Sequence, residues 1–166
     1  MRKQCGISLI EILVGFVIIA ILVVIGLPNF RAYLVNDQIR RVADEYHSGL
    51  LFSKTEAIRR NATVQFNPNG VGWNVNLVAD NSVLMSRGVE PQESSIAVNV
   101  TAAQLAFTGS GRVQPAANFT IDVTCPTQGQ CAASNGTVRC LRVVVSAGGQ
   151  VSICDPALSL SDPNRC

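Results

Sequence analysis

From Ile7 to Leu27 the sequence runs through 21 residues with a single charge, Glu11. As a helix such a segment is about 31 Å long at ~1.5 Å per residue, which matches the hydrocarbon core of a bilayer. Few other fates suit it. A soluble buried helix is seldom apolar without a break over that length. A cleaved secretory signal has a shorter apolar core and a small-residue exit, and none follows Ile25. A plain membrane anchor would avoid a carboxylate so near its start. The segment is therefore predicted to span a membrane over residues 7–28, behind a short basic leader at 1–6. Arg2 and Lys3 precede it and the next basic residue is Arg31. That asymmetry places the N-terminus in the cytoplasm.

Glu11 is the informative exception within the run. A charge in hydrocarbon costs about 2.5 kcal/mol or more, so it needs a partner or a task. If the chain is cut between Gly6 and Ile7, Ile7 acquires an α-amino group four residues before Glu11. The amine of a neighbouring copy could then neutralise the carboxylate. Such a pair would set the register between packed helices, as a buried polar residue does in a coiled coil.

Composition adds exclusions. Hydrophobic residues make up 48% and charged residues 14% of the chain, and much of the excess lies in the N-terminal run. Without Arg2 and Lys3, 11 basic residues face 11 acidic ones. A neutral chain lacks the electrostatic footprint of a nucleic-acid binder. Histidine occurs once, at His47, and nothing places it in a Ser/His/Asp arrangement. The glycine-rich stretches lack the Lys-Ser/Thr of a phosphate loop. No enzymatic activity and no cofactor are expected. The six cysteines lack the spacing of a zinc site. Cys5 would leave with the leader. Cys125, Cys131, Cys140, Cys154 and Cys166 read as disulfide candidates in an oxidising compartment, with one thiol left over. A Cys154–Cys166 bridge would tie down the chain end and contribute about 3 kcal/mol through the unfolded state. Cys125–Cys140 and Cys131–Cys140 are both open, and a cross-strand Cys140–Cys154 bridge competes with them.

Beyond Pro28 the period becomes helical. Val35, Ile39, Val42, Tyr46, Leu50, Ser53 and Ala57 step by three and four and form one narrow face. Charged residues fill the opposite side, with the i,i+4 pairs Asp37–Arg41, Arg40–Asp44 and Glu56–Arg60. Gly49 and Asn61 suggest an amphipathic helix over 29–61. From Ala62 the period changes to two. Strands are predicted at Thr63–Phe66, Trp73–Val78, Ser82–Met85, Ile96–Val100, Leu105–Thr108, Phe119–Thr124, Val138–Val145 and Gln150–Ile153. Asn69-Gly70, Gly109–Gly111, Asn135-Gly136 and Gly148-Gly149 mark turns. One long helix followed by strands alone implies an α+β fold. The helix would pack on an antiparallel β domain over 62–166 that ends in a disulfide-linked tail.

The run Gly6-Ile7-Ser8-Leu9-Ile10-Glu11 resembles the processing motif of type IV pilins and type II secretion pseudopilins. Ile7 stands where Phe or Met is usual, and Ser8 where Thr is usual. The helix end Glu56-Ala57-Ile58-Arg59-Arg60-Asn61, the stretch Leu105–Arg112 and a C-terminal hairpin between Cys140 and Cys154 are similar to the GspH/FimT group. The resemblance implies a pilin-like fold and a minor pilin or pseudopilin that primes or caps a filament. It implies cleavage after Gly6 by prepilin peptidase and N-methylation of Ile7. Glu11 and Pro28 would be assembly residues, Pro28 at the membrane exit where pilins kink or melt the helix. Its implied partners are other pilins of the same filament, the peptidase and an inner-membrane assembly platform. The C-terminal domain would be periplasmic before the subunit moves into the filament. Some group members are linked to DNA uptake through a Gly-Arg-x-Arg stretch in the last hairpin. Here that place reads Gly148-Gly149-Gln150-Val151-Ser152, and the nearby Arg139, Arg142 and Arg165 do not reproduce it. DNA binding is thus the second reading.

Overall fold

The computed structural model describes residues 8–166, and side chains throughout that span except at 25–29, 31 and 92. Gly6 and Ile7 lie outside the described residues. The chain divides into two units, residues 1–34 and 35–166.

A single helix, α1 (Leu9–Arg60), contributes to both units. In the first unit its apolar side chains are exposed all round, among them Ile10, Leu13, Phe16, Val17, Ile21 and Val24. A helix that is apolar on every side needs an apolar surrounding. Among the described residues, no helix is long and apolar enough to cross a membrane, and the run Ile7–Leu27 lies only partly within them. The backbone stays helical at Pro28, where the missing N–H removes one intrahelical hydrogen bond.

In the second unit α1 buries the predicted face. Ile39, Val42, Tyr46, Leu50, Ser53 and Ala57 are fully buried, and Val35 nearly so. The buried Ser53 hydroxyl donates to the Gly49 carbonyl at 2.8 Å, so its polar group is satisfied inside the helix. The helix runs unbroken through Gly49. A Cβ there would sit 2.7 Å from the Trp73 ring and 3.0 Å from Phe66, so the glycine makes room for an aromatic cluster. Phe66 and Trp73 stack at 5.4 Å between centroids, and Tyr46 meets Phe66 edge-on at 5.8 Å. Helix propensity alone favours Gly49→Ala by about 1 kcal/mol, whereas overpacking costs about 1–3 kcal/mol. The packing term should dominate. Urea unfolding of fragment 35–166 is expected to show Gly49→Ala less stable than the parent.

The helix ends in a Schellman arrangement. Asn61 adopts φ +49°, its N–H donates to the Ile58 carbonyl at 3.2 Å, and the Ala62 N–H donates to the Ala57 carbonyl at 3.1 Å. In the last turns Arg59 and Arg60 both donate to the Glu56 carboxylate. The Arg59 and then the Arg60 hydrogen bonds hold Glu56 down from 4.5 to about 2. A carboxyl lowered by folding stabilises the native state above its ordinary pKa and loses that contribution as pH falls through the lowered one. Fragment 35–166 should therefore lose more stability than its Glu56→Gln variant between about pH 5 and about pH 2 in urea titrations. Equal losses would remove this role from Glu56.

Among the described residues nine strands form two antiparallel sheets. They are β1 (Val64–Asn69), β2 (Gly72–Leu77), β3 (Val83–Arg87), β4 (Ala97–Val100), β5 (Leu105–Phe107), β6 (Val113–Gln114), β7 (Phe119–Thr124), β8 (Leu141–Val145) and β9 (Val151–Cys154). The first sheet has the order β3-β2-β1-β5-β6 and the second β4-β7-β8-β9. Alternation is regular in the central strands: Phe119, Ile121 and Val123 of β7 are buried and their neighbours half-buried. The β1–β2 hairpin turns at Gly70, whose φ of +61° is easy only without a Cβ.

Strand β8 starts at Leu141, later than its apolar pattern predicts at Val138. Cys140 is bonded to Cys131, and Val138 bridges Cys131, which together draw residues 138–140 out of the ladder. Cys154 is bonded to Cys166, and Cys125 is a buried free thiol. The β8–β9 register places Cys154 opposite Arg142, not Cys140, so the cross-strand bridge does not form. Cys140 is likewise taken by Cys131 and does not bond Cys125.

Candidate assembly site

The described helix begins at a side-chain cap. Ser8 precedes its first turn and accepts the Ile10 N–H on its hydroxyl at 3.2 Å. The Ser8 carbonyl accepts from Glu11 at 3.1 Å and from Ile12 at 3.3 Å. Ser8-Leu9-Ile10-Glu11 thus has the spacing of a capping box, with the carboxylate in the turn where the helix dipole favours it. This is a second reason for an acidic residue at this place, and the sequence reading missed it although the S-x-x-E spacing was visible.

Glu11 is exposed, and no cation among the described residues pairs with it. Its neighbours Leu9, Ile10, Ile12 and Leu13 are exposed as well. A carboxylate on an apolar helix surface, without a partner among the described residues, can be satisfied by a cation from elsewhere. Gly6 and Ile7, the cut site and the methylated residue of the sequence reading, are outside the described residues. Of Pro28 only the helical backbone is described.

The folded unit treats its charges differently. Arg142 forks onto Asp122 at 2.6 and 3.0 Å, and that hydrogen-bonded carboxylate raises the guanidinium pKa further. Arg139 pairs with the buried Asp155 at 2.5 Å. Two of the three arginines near the last hairpin are therefore neutralised within the chain. The hairpin turn itself is packed rather than free. Gly149 has φ +80°, and a Cβ on it would lie 2.0 Å from the Gly111 carbonyl oxygen. The turns at Gly109–Gly111 and Gly148-Gly149 thus press against each other, which explains both glycine signals. His47 is half-buried on α1, and among the described residues no group of three His, Cys, Asp or Glu side chains could hold a metal.

Comparison with known proteins bears on both parts of the chain. The family model of type II transport protein GspH matches residues 42–149. The prokaryotic N-terminal methylation motif matches residues 1–27. No curated protein sequence matches the chain. Among solved structures, the type IV minor pilin FimU of Pseudomonas aeruginosa is similar, with TM-score 0.59 and 15% identity over 70% of this chain and 88% of that one. The minor pseudopilin EpsH of the type 2 secretion system of Vibrio cholerae is similar with TM-score 0.53 and 14% identity, over 73% of this chain and 99% of that one. At such identities these likenesses show a shared fold, a helix packed on antiparallel strands.

Proposed function

The chain belongs to the GspH family of type II transport proteins, as a minor pilin or pseudopilin, and from that premise we propose that it primes or caps a type IV pilus or a secretion pseudopilus. Its work is structural and no catalytic step is assigned to it. Glu11 carries the proposal: it is a lone carboxylate on a helix that is apolar on every side, with no ion-pair partner among the described residues.

In this reading prepilin peptidase cuts between Gly6 and Ile7 and methylates the new amine of Ile7. Residues 7–28 hold the subunit in the inner membrane, with the N-terminus cytoplasmic and the domain after residue 61 periplasmic. An assembly platform in that membrane then passes the subunit to other pilins. The leader cannot remain, because assembly needs the α-amine beside Glu11 and the apolar helix surface uncovered. Pro28 removes one backbone hydrogen bond at the membrane exit, which eases local opening as the helix changes surroundings.

Mass spectrometry of the protein from cells containing the peptidase should find Ile7 at the N-terminus, carrying one added methyl group. An intact Met1 in such cells would refute the processing step. DNA binding is not adopted as a second function. Arg139 and Arg142 are already paired with Asp155 and Asp122, so two of the arginines near the last hairpin are not free for phosphate contacts.

A further inference from the structure

Two asparagine–glycine pairs lie in turns of the folded unit, Asn69-Gly70 and Asn135-Gly136. Such a pair can react with itself, and the only other molecule consumed is water. The glycine backbone nitrogen gives its proton to solvent base and attacks Cγ of the asparagine. The Cγ–Nδ2 bond breaks, Nδ2 leaves as ammonia, and a succinimide ring joins the two residues. Water then opens the ring at either carbonyl and leaves aspartate or isoaspartate. Glycine is the least hindered successor, because no side chain shields its nitrogen and its backbone rotates freely. By sequence the two pairs are equivalent. The fold separates them.

At Asn69 the attacking nitrogen is free. Gly70 and Val71 form the turn between Asn69 and Gly72, which face each other at the end of the β1–β2 ladder. Asn69 and Gly70 are exposed, and the Gly70 N–H has no hydrogen-bond acceptor among the described residues. No atom beyond its chain neighbours lies within 4 Å of where a Gly70 Cβ would be. Rotation that brings the Gly70 nitrogen to the side chain therefore moves it through open space. Its cost is the fraying of the last ladder pair, the kind of local opening that needs little free energy.

At Asn135 exposure is no less, but the nitrogen is held. The Gly136 N–H donates to the Cys131 carbonyl at 3.0 Å, and the Asn135 N–H donates to the Ala132 carbonyl at 3.1 Å. A Cβ on Gly136 would run into the Gln130 carbonyl oxygen, so the surroundings of this glycine are filled. The Cys131–Cys140 disulfide closes the loop that contains the pair. Attack here first breaks a hydrogen bond and then moves the backbone against Gln130.

We propose that Asn69 is a deamidation site of the folded chain and that Asn135, with the same sequence signal, is spared. Conversion places a new carboxylate at the tip of the β1–β2 hairpin, beside the Gly70 and Gly72 carbonyls that accept from the Tyr46 hydroxyl. An isoaspartate also lengthens the backbone by a carbon at the last residue of β1. The site is separate from Glu11 and stands whether or not the assembly reading holds.

The test incubates the full chain in detergent micelles in mildly alkaline buffer. Samples are digested in mild acid, and mass spectrometry follows the exchange of NH2 for OH in the peptides that contain Asn69 and Asn135. In the folded chain Asn69 should react at least about fivefold faster than Asn135, the factor expected when one hydrogen bond must break first. In a second sample, reduced and unfolded in urea, the two rates should converge. An Asn69→Ser chain, kept folded, should lose most of the isoaspartate that isoaspartyl methyltransferase labels in the parent. A smaller ratio in the folded chain overturns the proposal, and so does an Asn69 that reacts only after unfolding. A ratio that persists in urea assigns the difference to neighbouring sequence instead of the fold and overturns it as well. Labelling that Asn69→Ser leaves unchanged does the same.

Discussion

A Glu11→Ala subunit is expected to insert into the membrane at least as well as the parent and to fail in filament assembly. The two effects have opposite signs because the carboxylate acts in opposite ways in the two surroundings. In lipid, alone, it costs about 2.5 kcal/mol or more, so removing it favours insertion. In a filament, next to a neighbour's α-amine, it forms a charge-assisted contact worth about 1.5–3 kcal/mol. Loss of that contact weakens each subunit junction roughly tenfold to a hundredfold. Glu11→Gln separates the two roles of the residue. It keeps a side chain able to complete the cap with Ser8, whose hydroxyl holds the Ile10 N–H, but it cannot neutralise an amine. If pairing is the task, Gln assembles as poorly as Ala. If the cap is the task, Gln rescues assembly. The readout is the amount of subunit recovered in sheared filaments, or secretion that depends on it, beside the amount in the membrane fraction. Unchanged filament recovery with Glu11→Ala would remove the pairing role.

Much of the fold was legible because its signals are local. The helix face from Val35 to Ala57 is a matter of spacing, and every residue named for it is buried. Strand β7 spans Phe119–Thr124 in sequence and structure alike because its alternation is uninterrupted. What was not legible depends on partners distant in the chain. Gly49 is a packing site whose reason, Trp73, arrives only with the fold. The two-residue strand β6 has too few residues to show a period. The start of β8 depends on the Cys131–Cys140 bond, and connectivity among five cysteines has no local signature. The division into two sheets follows from β5 pairing with β1 while β4 pairs with β7, a choice that strand order in the sequence does not state. At the assembly site, Glu11 was visible as a charge out of place. The capping role of Ser8 emerged only from the hydrogen bonds at the helix start.

Arg87→Ala should be the most damaging single change in the folded unit. Arg87 lies on the edge strand β3 and is largely buried; it joins three other parts of the chain. It donates to both oxygens of Glu93 at 2.6 and 2.7 Å and to the Val71 carbonyl at 3.0 Å, and its Nε pairs with Glu45 on α1. Glu45 is half-exposed and Glu93 is buried, so the weight falls on Glu93. The Glu93 side chain is 8% exposed, and its other hydrogen bond is a 3.3 Å contact from the Glu90 N–H. Removing the guanidinium strands that carboxylate, and breaking a buried pair from one side costs about 3–5 kcal/mol. Arg87→Lys keeps the charge but loses the fork, and should fall between the two. Removing both charges is gentler than removing one, so Arg87→Met/Glu93→Gln should be more stable than Arg87→Ala. Urea unfolding of fragment 35–166 and these variants measures all three expectations. A cost below about 1 kcal/mol for Arg87→Ala would place it among ordinary surface ion pairs.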